Sequence, residues 1–243
     1  MNRVSILGMQ VDNLDLHEAV ARIEELIKYG EPSLVVTANP EIIWLARGNK
    51  KFAECLLEAK MITADGIGVI IAAKILGQPL KQRVTGIALL TELFKRAQDK
   101  KYKFYFVGGK PGIAERAAGN IKNSYPGVEI VGIHHGYFED DSSIIEDIRQ
   151  KRPDILLVAL GMGKQEQWIR DRVFQTGVPV SVGVGGSFDV FSGETKRAPL
   201  WMQRKGIEWL YRLIMHPSRF RRMLQLPRFL MKVCFDRVWG KSN

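Results

Sequence analysis

The sequence predicts an α/β protein: a Rossmann-like, largely parallel sheet with helices on both faces, followed by a C-terminal helical basic appendage. Three observations carry that prediction. Short β-branched runs alternate with amphipathic segments along most of the chain. Runs such as Ile155–Leu160 are apolar on both faces, which requires helices above and below the sheet. The net charge is gathered at one end of the chain. Val4–Leu7 opens as a strand, and Leu16–Tyr29 follows with apolar residues at helical spacing. Leu34–Thr37 is the next strand, leading into helices at Pro40–Arg47 and Phe52–Ala59. Met61–Thr63 is a strand, then Ile67–Leu76 and Gly86–Asp99 are helices. Strand and helix then alternate: Phe104–Val107 with Ile113–Tyr125, Ile130–Ile133 with Ser143–Gln150, Ile155–Leu160 with Lys164–Gln175, and Val180–Val184 last.

The 243 residues are 46% hydrophobic and 26% charged, with 23 Gly and 10 Pro, so the chain can bury a core and is neither disordered nor collagenous. Two distant cysteines, Cys55 and Cys234, build neither a disulfide framework nor a zinc cluster and favour a reducing compartment. The N-terminal apolar run is too short for a signal peptide, and no segment reaches the ~18 apolar residues of a bilayer span. A soluble or peripheral intracellular protein is expected.

The net charge is +10, and residues 196–243 carry all of it: twelve Lys/Arg stand there against only Glu208 and Asp236. Three of the five tryptophans and four of the eight methionines lie in the same stretch. The chain is therefore divided at this point, into residues 1–195 as the Rossmann-like domain and residues 196–243 as an appendage of two or three short helices cut by Pro217 and Pro227. Ile207, Leu210, Tyr211 and Ile214 form one apolar face; Phe220, Met223 and Leu224 form another, with Arg221, Arg222 and Gln225 opposite. Basic charge mixed with bulky apolar groups suits an anionic membrane surface. Nucleic acid, where Arg meets phosphate and aromatics stack on bases, is the competing use. Packing against the body or a second subunit is the plainest one.

Ligands of open α/β sheets bind beyond the carboxyl ends of the strands. Thr37-Ala38-Asn39-Pro40-Glu41 follows the second strand, and Thr63-Ala64-Asp65-Gly66 the third. Asp65 there would project a carboxylate into the cleft, and Thr37 and Asn39 could hold sugar hydroxyls or an acetamido group. Helix capping accounts for Asn39 before Pro40 equally well, and for Asp65 too. The turn Val107-Gly108-Gly109-Lys110-Pro111-Gly112 offers backbone N–H groups at a helix start, suited to a diphosphate, although GxGxxG spacing is lacking. Gly161-Met162-Gly163-Lys164-Gln165-Glu166 is a second such turn and Val184-Gly185-Gly186-Ser187-Phe188-Asp189 a third. Lys164 and Gln165 are the better ligand candidates, since Glu166 fits a dipole-favoured acid of the first turn. Arg83 lies in a polar loop, where a solvated charge is the ordinary role. His134 and His135 are adjacent on a strand, so their side chains should diverge. Glu139-Asp140-Asp141 precedes a helix and reads as capping. No metal site and no GxSxG nucleophile emerges, and the missing strand–GxGxxG–helix unit disfavours a nicotinamide oxidoreductase.

Taken together, TANPE at 37–41, TADG at 63–66, GKQEQW at 163–168 and GVGGSFDVFSGETKRAPLWMQRKGIEWLYRL at 183–213 resemble the WecG/TagA/CpsF glycosyltransferases along essentially the whole chain. Gly163 departs from the proline of many members but leaves Lys164, Gln165 and Glu166 in place. The resemblance implies an inverting transferase, without metal or other cofactor, using a UDP-sugar donor and a polyprenyl-diphosphate acceptor. Within the family the chain resembles the teichoic-acid linkage-unit branch. This implies transfer of N-acetylmannosamine from its UDP derivative to the 4-hydroxyl of undecaprenyl-diphospho-N-acetylglucosamine. Asp65 is then the general base, with Thr37 and Asn39 on the sugar and Gln165 and Gln167 toward nucleotide or acceptor. Arg83, the Gly108–Gly109 turn and Lys164 meet the charge of the departing UDP, and Gly185 and Gly186 bind substrate. Arg212, Arg219 and Arg222 would reach the acceptor's diphosphate, and the appendage an anionic inner leaflet, giving a cytoplasmic protein held at the membrane face. A homo-oligomer stays open, no nucleic-acid partner is expected, and another UDP-sugar donor, such as UDP-ManNAcA or UDP-glucose, is the alternative within the family.

Overall fold

A computed structural model describes residues 2–215 and 224–239 of the chain. β1 (Arg3–Ile6) and β2 (Met9–Asp12) form an antiparallel hairpin ahead of the main sheet. Then come α1 (Leu16–Tyr29), β3 (Ser33–Ala38), α2 (Pro40–Gly48), α3 (Lys50–Leu57), β4 (Met61–Ala64), α4 (Ile67–Ile75) and α5 (Gly86–Lys100). The second half runs β5 (Lys103–Gly108), α6 (Ile113–Ser124), β6 (Glu129–His134), α7 (Ser142–Lys151), β7 (Ile155–Ala159), α8 (Lys164–Thr176), β8 (Val180–Gly183) and α9 (Ser187–Phe191). Three helices finish the described chain: α10 (Leu200–Arg204), α11 (Glu208–Met215) and α12 (Gln225–Trp239).

β3 to β8 form one six-stranded sheet in the order β4-β3-β8-β7-β5-β6, with every neighbouring pair parallel. Side chains alternate between two cores, as the pleat demands. Leu34, Val36, Leu156 and Val158 face a core shared with the hairpin, α2, α3, α4, α7, α8 and α12. Val35, Ile155, Leu157, Val180 and Val182 face one shared with α1, α5 and α6. The fold class expected from the sequence is the one observed.

Two local differences have physical reasons. The strand β2 was not expected: Leu7 and Gly8 turn the chain with φ of 50° and 88°, and only the glycine announces such a turn. Asp12, 2% exposed, fastens the hairpin, its Oδ2 accepting the Ile62 amide at 2.7 Å and its Oδ1 accepting Arg3 Nε at 2.8 Å. Pro227 does not cut a helix but lies in the first turn of α12, where a backbone donor has no intrahelical acceptor. Pro217 lies outside the described residues. α12 inserts Phe229 and Val233, both fully buried, into the first core.

Candidate active site

The strand ends on the carboxyl side of the sheet open onto two adjoining cavities of about 430 and about 140 Å³. Asn39, Asp65, Met162, Gly185, Gly186 and Glu208 line both. β3 supplies Thr37 and is followed by Asn39, β4 is followed by Asp65, and β8 by Gly185 and Gly186. The loop bearing Arg83 is drawn alongside by the Val84 amide, which donates to the Ala64 carbonyl at 2.9 Å. The Asp65 amide likewise donates to Ala38 O at 2.8 Å, locking the β3 and β4 ends together. Asn39 and Asp65, 26 positions apart in sequence, thus meet because the parallel neighbours β3 and β4 end in register.

Two glycines make this approach possible. A Cβ on Gly66 would stand 2.6 Å from Pro40 Cδ, and one on Gly68 would stand 2.5 Å from Leu226 Cδ1. The starts of α2 and α4 therefore pack together, with Leu226 of α12 lying over them and lining the larger cavity. The N-cap of α4 is Gly66, with no side-chain cap, so helix capping does not account for Asp65. Asn39 does cap α2, its Oδ1 accepting the Ile42 amide at 2.9 Å, which leaves its amide nitrogen to reach a ligand. Gly66, Ile67 and Gly68 at the start of α4 face the larger cavity, a setting that favours negative charge.

The other sequence candidates separate. Gly109 lines the larger cavity, but its amide donates to Ala159 O at 3.0 Å and so faces the protein. Gly108, at φ 130°, lets β5 close on β7, since a Cβ there would lie 2.4 Å from Ala159 O. Gln165 is buried and lines the smaller cavity; its Nε2 donates to Glu166 Oε1 at 2.7 Å and its Oε1 accepts the Gly185 amide at 3.0 Å. Glu166 is 1% exposed, and its Oε2 accepts the Gly163 amide at 2.7 Å. Burial raises its carboxyl pKa above the ordinary value. Lys164 is exposed, and neither it nor Gln167 lines these cavities. The backbone of Arg212 belongs to α11, while Arg219 and Arg222 lie outside the described residues.

Several lining residues were not singled out from sequence. Thr85 caps α5 through Oγ1, which accepts the Ala88 amide at 3.2 Å, and lines the smaller cavity. Arg197, Glu208 and Trp209 come from the stretch after residue 195. Glu208 is 8% exposed and lies between two arginines, with Arg83 Nη2 at 3.9 Å from Oε2 and Arg197 Nε at 3.6 Å from Oε1. Arg197 and Glu208 both sit inside the motif block at 183–213; weighing that block residue by residue would have found them. Arg83 Nη2 also donates to the Gln203 carbonyl at 3.3 Å.

Among the described residues no three His, Cys, Asp or Glu side chains gather as metal ligands. The two histidines do not diverge: β6 stops at His134, so alternation ends there, and the rings lie 4.7 Å apart. Asp141 does not cap α7 with its side chain; its Oδ2 accepts Trp168 Nε1 at 2.7 Å and Arg172 Nε at 2.9 Å, tying α7 to α8. Asp140 takes the local role, accepting the Ser142 amide at 3.1 Å.

Fold and cleft together define an α/β protein that can seat an anionic ligand beside a carboxylate. The glycosyl transferase WecG/TagA/CpsF family profile matches residues 4–243, and the chain belongs to this family. Similar proteins include the N-acetylglucosaminyldiphosphoundecaprenol N-acetyl-beta-D-mannosaminyltransferase of Bacillus spizizenii, 40% identical over 83% of this chain and 78% of that one. The proteins of the same name from Bacillus subtilis and Staphylococcus aureus strain MW2 are 36% and 35% identical, over 83% and 95% of this chain and 78% and 92% of theirs.

Proposed function

We propose that this enzyme transfers N-acetylmannosamine from UDP-N-acetylmannosamine to the 4-hydroxyl of undecaprenyl-diphospho-N-acetylglucosamine, with inversion and without a metal. The observation that carries the reading is the meeting of Asp65, Asn39 and Arg83 in one cavity beside the open start of α4, in a chain similar to transferases of that name. Asp65 takes the proton of the acceptor hydroxyl as its oxygen attacks the anomeric carbon. Thr37 and Asn39 hold the sugar. Negative charge growing on the departing UDP meets Arg83 and the amides at the start of α4. Gln165 holds the Gly185 turn against the site, and Gly186 and Gly109 line its wall.

Residues 1–195 carry the chemistry in this reading, and residues 196–243 bring the enzyme to its lipid-linked acceptor. Leu200, Trp201, Ile214, Met215, Phe235 and Trp239 stand exposed on α10, α11 and α12, interspersed with basic residues. That surface suits the anionic inner leaflet. Arg212, Arg219 and Arg222 are proposed to meet the acceptor's diphosphate. No helix of the described residues is long and apolar enough to cross a membrane. The test is UDP release from UDP-N-acetylmannosamine in EDTA, with and without the lipid-diphospho-N-acetylglucosamine acceptor. Acceptor-dependent release is expected; release only with a different UDP-sugar would change the donor, and silence with every donor would overturn the reading.

A further inference from the structure

Arg83, Glu208 and Arg197 form a charge sandwich at the junction of the two cavities. Arg83 lines the larger cavity, Arg197 the smaller, and Glu208 both. Glu208 is the first residue of α11, so it enters the cleft from outside the sheet. The ion pairs of Glu208 with these two arginines are not close hydrogen bonds, at 3.9 and 3.6 Å, and Arg197 Nε is buried without a hydrogen-bond partner. A buried guanidinium nitrogen left in this state loses solvation that a well-placed oxygen would restore. Two arginines that flank one carboxylate where the two cavities adjoin, with the start of α4 lining the larger one, make a receptor for a group with more oxygens and more charge than that carboxylate.

From this geometry we infer that Arg83 and Arg197 together are the seat of the donor's diphosphate, and that Glu208 occupies that seat as an internal anion until the donor displaces it. The inference rests on the UDP-sugar reading above and adds Arg197 and Glu208 to it. Donor binding exchanges one carboxylate for a diphosphate between the two guanidinium groups. Glu208 therefore lowers the affinity for UDP, opposite in sign to a residue that merely props the arginines in place.

Calorimetric titration of the full chain with UDP and, separately, with inorganic pyrophosphate tests this. Glu208→Gln keeps the shape and removes the charge; its Kd for both ligands should fall about three- to tenfold, the scale of partly screened ion pairs. Arg197→Gln should weaken both ligands, and in its background Glu208→Gln should no longer tighten them, a coupling that a structural prop would not produce. Melting curves for each variant establish that the fold is kept. Unchanged or weaker binding of both ligands by Glu208→Gln overturns the inference while leaving the donor reading intact if UDP binds the parent protein. Tighter pyrophosphate binding without any UDP binding keeps the exchange and removes the nucleotide. No binding of either ligand to any form overturns both.

Discussion

Gln165 and Gly185 are joined across the floor of the cleft: the side-chain oxygen at the start of α8 accepts the amide that follows β8 at 3.0 Å. The other end of the same amide donates to Glu166, which in turn accepts the Gly163 amide. One buried chain of hydrogen bonds thus fixes the loops after β7 and β8 relative to each other. Gln165→Ala leaves the Gly185 amide and one Glu166 oxygen without these partners, and should cost about 1–3 kcal/mol of stability. Chemical denaturation reads that loss, and a raised donor KM should accompany it; unchanged stability and KM would show that the link is dispensable.

Asp65→Asn should keep the fold and remove the proton acceptor. A decline in kcat of about 10²- to 10⁴-fold is expected, with donor binding retained. A variant that turns over at the parent rate places the base elsewhere.

The pH dependence of stability carries a signature of Glu166. Burial raises its carboxyl in the folded protein above the ordinary 4.5, so the folded state binds the proton more tightly than the unfolded one. That contribution is fully present below 4.5, is lost as pH climbs from 4.5 through the raised value, and is level beyond it. The stability difference between the parent and Glu166→Gln should therefore shrink across that window in urea titrations between about pH 4 and 8. A difference that stays flat, or grows with pH, contradicts the assignment.

The two thiols should behave as opposites. Cys55 is fully buried, its Sγ donates to the Glu166 carbonyl at 3.4 Å, and burial pushes it up to about 12. Cys234 is exposed on α12. A disulfide reagent at pH 8 should modify one thiol at once and the second only after unfolding, and Cys234→Ala should abolish the fast reaction. Two fast thiols would mean that the core around α3 opens readily.

Most of the fold is legible in the sequence because its signals are local. The doubly apolar run at Ile155 demands a central strand, and Asn39-Pro40 marks a helix start wherever the rest of the chain lies. The hairpin partner β2 is hidden because its turn places Leu7 at positive φ, a position that leucine does not advertise. Arg83 is picked out only by the family resemblance, whereas Asp65 and Asn39 are picked out by one topological rule about strand ends. The inward use of Gln165 is not, since it depends on a glycine twenty residues away across a strand pair. The same holds for Arg197 and Glu208, whose meeting with Arg83 depends on how α11 folds back over the sheet. Charge counting placed both in the appendage, and pairing across the fold placed both in the cleft.

The carboxylate of Asp12 has a consequence for the protein's conduct in a crowded solution. β4 is the outermost strand on its side of the sheet, and an outermost strand is a template on which another chain can add a strand. Asp12 occupies the Ile62 amide at 2.7 Å, and its hairpin lies beside that border. An incoming strand would have to evict an anion already held by Arg3, so the same contact that anchors the N-terminus discourages aggregation through this border.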